Sequence, residues 1–124
     1  MAYKINFDTS TQIISMIYSG VIDLGLKLRA VEELTQTYAG KGGMKIMIDV
    51  REATMNMLLG EQEAFGEYLA NHLELSEAKV AVLHESSFNP NAVIDFIAYQ
   101  NGYQLQDFIS LADATQWLIR PNVA

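Results

Sequence analysis

The apolar positions of this chain change period several times. Tyr3 to Phe7 alternates Tyr, Ile and Phe with Lys4 and Asn6, the pattern of a half-buried strand. Asp8 to Gln12 is rich in turn formers, and Ile13 to Tyr18 reads as a second strand, giving an antiparallel hairpin that Gly20 ends. Asp23 is placed to cap a helix running to about Tyr38. Leu24, Leu28, Val31, Leu34 or Thr35, and Tyr38 recur at helical spacing as its core face, with Lys27, Glu32, Glu33 and Gln36 between them. Gly40, Gly42 and Gly43 stop this helix.

Met44 to Val50 is a near-continuous apolar run, as expected of a central strand covered on both faces. A short polar link follows, and a second helix opens near Leu59 or Gly60. Its inner stripe is Phe65, Tyr68, Leu69 and His72, and Glu61 and Glu63 sit in its first turn. Lys79 to His84 is another buried-type strand. Asn89 before Pro90 suits a cap followed by a proline at the first helical position, and that helix runs to about Gln100. Tyr103 to Phe108 is a shorter, more polar edge strand. Ser110 with Asp113 has capping-box spacing, with Ile109 and Ala114 as a staple, and Leu111, Ala114, Trp117 and Leu118 form the last helix face before Pro121.

The order is therefore β-β-α-β-α-β-α-β-α. It predicts an α/β fold: one domain over residues 1–124, with a mostly parallel sheet, one antiparallel edge strand and flanking helices. Composition narrows the partners. The net charge of −7, with only eight scattered Lys and Arg, argues against a phosphate-binding basic face, so nucleic acid is not an expected partner. With no cysteine there are no disulfides and no thiol chemistry. The first residues carry no apolar leader segment and no run is long enough to span a bilayer, so a cytoplasmic location, at most peripheral to a membrane, is expected.

Candidate chemistry is sparse. Asp49 and His84 end neighbouring parallel strands, at the edge where such sheets bind ligands. With Ser86 or Ser87 they could form a hydrolytic set, but no Gly-x-Ser-x-Gly elbow accompanies them. The simpler reading is that Asp49 bonds backbone amides and His84 is a polar strand end. No metal-ligand spacing links His72 and His84. Gly40-Lys41-Gly42-Gly43 precedes a strand, whereas a phosphate loop follows one. No cofactor is called for, and a non-enzymatic role is expected.

The segment from Met55 to Gly60 is more informative. Met55, Met57, Leu58 and Leu59 exceed what one helix stripe needs, and methionine suits surfaces that adapt to apolar partners. Phe65, Tyr68, Leu69, Phe96 and Tyr99, on two helices, could close around a pocket beside them. Core packing is the ordinary alternative, above all for Met47 and Phe96.

Three stretches carry a family resemblance: Gly20-Val21-Ile22-Asp23, Lys45-Ile46-Met47-Ile48-Asp49-Val50, and Gly60 at a helix start. Ser110 and Ala114-Thr115-Gln116-Trp117-Leu118 extend it. This ordered set, over residues 3–118, resembles the SpoIIAA-like group of the STAS family, the fold of anti-sigma-factor antagonists. The resemblance implies a stand-alone regulatory or binding domain. Its partner-switching members carry a phosphorylatable serine just before the glycine; here Asn56-Met57-Leu58-Leu59-Gly60 offers none, and Thr54 is the nearest hydroxyl. The fold also resembles that of CRAL-TRIO lipid carriers, by analogy alone. The leading expectation is a non-catalytic domain that binds a small apolar ligand or membrane lipid through the Met/Leu segment. The alternatives are a regulatory protein-binding module, with a homodimer a further possibility for covering exposed apolar surface, and, more remotely, a hydrolase using Asp49 and His84.

Overall fold

A computed structural model describes residues 2–38, 43–75 and 77–121. The element order is β1 (Tyr3–Phe7), β2 (Ile13–Ile22), α1 (Leu24–Tyr38), β3 (Lys45–Met55), α2 (Leu59–Asn71), β4 (Lys79–Leu83), α3 (Ala92–Gln100), β5 (Gln104–Phe108) and α4 (Leu111–Ile119). One sheet has the strand order β1-β2-β3-β4-β5. β1 is antiparallel to β2, and every later neighbour is parallel. This is the expected α/β arrangement.

The order explains the layers. Each crossover steps one strand in the same direction, so crossovers of one hand put α1, α2 and α3 on one face. Under them lies the larger core, where Ile14, Met16, Ile46, Val80 and Val82 of the sheet meet Val31, Leu34, Phe65 and Ile94 of the helices. α4 alone returns over the other face, seating Ala114 and Leu118 on Met47, Ala81 and Leu83. β4 is buried at all five residues because helices cover it on both sides.

Two strands run further than the sequence pattern indicates. β2 passes Gly20 and ends at Ile22, and the link after Val50 is strand to Met55. The β2–β3 register shifts between Ile17 and Ser19, and Gly20 takes a positive φ of 76°. The glycine thus marks an irregularity within a strand, not its end. Beyond Asp49 and Leu83 β4 no longer follows, so Ser19–Ile22 and Glu52–Met55 form a two-stranded projection. It delivers the starts of α1 and α2 side by side, with the Asn56 N–H donating to the Ile22 carbonyl at 2.8 Å.

The helix ends follow their side chains. Asp23 accepts from the Leu26 N–H at 2.8 Å, as a cap should. Ser110 accepts from the Asp113 N–H at 3.2 Å. The expected staple is not made: Ile109 and Leu111 are exposed, whereas Ala114 and Leu118 are buried. Pro90 lies in the turn before α3, which starts at Ala92 after Asn91, because Asn89 Oδ1 accepts from the Asn91 N–H and holds a tight turn there. Gly40 and Gly42 lie outside the described residues; Gly43 has a φ of 60°. Lys79 secures the end of α4 from below, donating to the Trp117 and Arg120 carbonyls with its ammonium over the Trp117 ring.

Candidate functional site

Between the sheet and the three helices lies a cavity of about 40 Å³. That is room for two or three waters. Its walls are apolar on almost every side: Met16, Ile46 and Val82 below, Val31 of α1, and Phe65 and Leu69 of α2. One corner is polar and is formed by Lys27, Asn91 and Asp95.

Lys27 is the residue that reading α1 by hydrophobicity misplaced. It is buried, with only 2% of its surface exposed, while Leu28, expected in the core, is 38% exposed. The phase of the helix explains this. The buried positions 27, 30, 31, 34 and 35 centre the inner face near 27 and 31, and 28 stands about a quarter turn away from that centre. The Lys27 ammonium donates to Asn91 Oδ1 at 2.8 Å. It also lies 4.5 Å from the Tyr18 ring centre and 5.7 Å from that of Phe65, in cation–π contact. Burial disfavours its charge and pushes its pKa down to about 8, against the pull of Asp95.

Behind Asn91 the network continues. Asn91 donates to Asp95 Oδ1 at 2.6 Å, and Asn89 donates to Asp95 Oδ2 at 3.0 Å. Burial, followed by the hydrogen bond and charge of Asp107, raises the Asp95 carboxyl well above the ordinary carboxylate range. No buried polar side-chain atom among the described residues lacks a partner.

The Met/Leu segment is placed at the entrance to α2. Met57 is buried against the core and Met55 packs at its margin, whereas Leu58 and Leu59 are 76% and 61% exposed. Glu61 reaches back to accept from the Leu58 N–H at 2.9 Å, and Gln62 donates to the Met57 carbonyl at 2.9 Å, fixing this turn. Of the other aromatic candidates, Phe65 reaches the cavity together with Leu69. Tyr68 lies outside, edge-on to His72. Phe96 and Tyr99 are also exposed, and border a surface groove along β5 with Asp95 and Asp107 rather than the interior. The apolar circumference of α3 gave no phase to choose between its faces. Gly66 of α2 makes the choice: a Cβ there would stand 2.8 Å from Ile97 Cβ and 2.9 Å from the Ile94 carbonyl, so α3 turns that side toward α2.

Asp49 and His84 are not joined. Arg51 grips the Asp49 carboxylate in a two-pronged pair at 3.0 and 2.8 Å, and His84 Nδ1 lies 2.7 Å from the Glu85 carbonyl. Ser86 and Ser87 are exposed in the adjoining turn. Among the described residues, no group of three His, Asp or Glu side chains could hold a metal, and no helix is long and apolar enough to cross a membrane.

No family model and no curated protein matches this sequence. Among solved structures, it is similar to an uncharacterised protein of the DUF3478 family with a SpoIIAA-like fold, from Shewanella loihica PV-4. The two are 17% identical, with a TM-score of 0.65 over 94% of this chain and 92% of that one. The chain therefore has the SpoIIAA-like fold that its ordered motifs resemble.

Proposed function

We propose that this SpoIIAA-like domain is a non-catalytic binding protein for a small apolar molecule, taken up between the sheet and helices α1 to α3. One observation carries the reading. A single helix, α2, presents exposed Leu58 and Leu59 at its start and cavity-lining Phe65 and Leu69 two turns later. It thus links an apolar surface to an apolar interior. At about 40 Å³ the cavity is small, so a guest larger than a few waters enters only as α2 and its partner α3 move outward. Gly66, in close contact with Ile94 and Ile97, favours their moving as a unit.

Native mass spectrometry and solvent extraction of gently purified protein test the reading. A bound apolar molecule, lost on replacing Leu58 and Leu59 by Asp, is the expected result. Absence of any such molecule, with no uptake of added apolar probes, overturns it.

A regulatory protein-binding role is the second reading. The same exposed leucines stand at the helix start where related regulators carry their switch serine. Capture of a defined regulatory partner that Leu58→Asp releases, with an empty interior, would favour it. A hydrolytic role would need Asp49 to exchange Arg51 for His84. An esterase panel on wild type and His84→Ala, with equal background in both, ends that reading.

A further inference from the structure

The ammonium of Lys27 is poorly compensated for a charge so deeply buried. It has three N–H donors, and one is used, on the neutral amide of Asn91. The other two face the rings of Tyr18 and Phe65 and the cavity. No carboxylate oxygen lies within ion-pair distance; among the described residues the one ion pair is Arg51 with Asp49. Asp95 is the acid whose charge acts on Lys27, but its oxygens are taken by Asn89 and Asn91. Asn91 relays between the two groups without bringing them together. A buried charge in this position is ordinarily paired.

We infer that Lys27 is the head-group anchor of the cavity and that the ligand is an acid, with an apolar aliphatic or aromatic body ending in a carboxylate. This rests on the apolar-ligand reading above and names the chemistry of the same site. A carboxylate has two oxygens, matching the two unused N–H donors, and it supplies the missing counter-charge. A phosphate brings more oxygens and more charge than one lysine can satisfy, and the remaining lining is apolar. An alcohol or a neutral carbonyl would accept a hydrogen bond but leave the ammonium uncompensated. Tyr18 and Phe65 flank the ammonium, leaving the body of the ligand to run along Val31 and Leu69.

Matched probes test this on the full chain: octanoate against 1-octanol, with shorter and longer homologues, measured by titration calorimetry at neutral pH. A charge-assisted hydrogen bond in a buried site predicts a preference for the acid of roughly tenfold or more. Lys27→Met should abolish that preference while leaving the alcohol bound. Asn91→Asp should abolish it as well with Lys27 in place, because a carboxylate on the group that already accepts from the ammonium supplies the counter-charge from within the protein. This second variant decides the question if Lys27→Met does not fold. Equal binding of acid and alcohol by the wild type, or an acid preference that survives in Asn91→Asp, overturns the inference. Binding of neither probe class overturns the apolar-ligand reading beneath it instead.

Discussion

The Lys27 ammonium and the Asn91 side-chain oxygen, 64 residues apart in the chain, are 2.8 Å from one another inside the fold. The bond ties α1 to the turn that opens α3, across the corner of the cavity. It also sets a charge in the core that the unfolded chain holds far more easily.

That charge has a pH signature. The folded-state pKa of Lys27, about 8, lies below its ordinary value of 10.5. Between these values the unfolded chain binds the extra proton and the folded chain does not, so this group makes stability rise with pH over that window. Below about pH 8 both states are protonated and the penalty is constant, at roughly 3 kcal/mol. Urea unfolding of wild type and Lys27→Met from pH 7 to 10.5 should therefore show a rising slope in the wild type that the variant lacks. Identical slopes would mean that Lys27 is solvated in the native protein.

Gly66 is the point of closest approach between α2 and α3. Gly66→Ala adds a Cβ into the Ile94 carbonyl and Ile97, and the backbone atom cannot rotate away. Overpacking should cost about 1–3 kcal/mol, more than the helix propensity gained by alanine returns. A denaturation midpoint at or above that of the wild type would show that the two helices already have slack.

Leu58 and Leu59 are exposed, so their replacement by Asp should leave stability within about 0.5 kcal/mol of the wild type. Their effect is expected in ligand uptake or partner capture instead. Met57→Asp is the control, because Met57 is buried in the main core and its substitution should destabilise by several times that amount. Thermal unfolding of the two variants separates the surface part of the segment from its core part.

Ser110 caps α4, the single helix on its face. Ser110→Ala removes the acceptor of the Asp113 N–H and should cost about 1 kcal/mol. Hydrogen exchange should show the loss first in the opening turn of α4, with β4 protection following only as the whole molecule unfolds. Uniform loss across the helix and the sheet would make α4 inseparable from the global transition.

The amino-acid sequence determined the type and order of every element, because strand alternation, apolar runs and helical spacing are local periodicities that survive without any partner. The Ser110 and Asp23 caps were legible for the same reason: a side chain three residues from an amide needs no tertiary help. That three helices share one face was not legible, since crossovers of one hand give that result only once the strand order β2-β3-β4-β5 is known. The strand lengths were less legible, because Glu52 to Thr54 and Gly20 are polar or flexible and are held extended only by pairing with one another.

The candidate site divides the same way. The Met/Leu segment stood out from composition, and Phe65 and Leu69 from phase. Lys27 was not legible: the apolar spacing set it between the stripe residues, and a lysine beside an apolar stripe ordinarily extends its amine to water. Only tertiary packing closes that route, by placing Asn91, Tyr18 and Phe65 around the amine. Which face of α3 turns inward was likewise undecided, because that helix is apolar nearly all round. The close approach at Gly66 decides it and leaves Phe96 and Tyr99 outside. Local periodicity specifies the elements, whereas the environment of a buried charge belongs to residues from several of them and exists only once they meet.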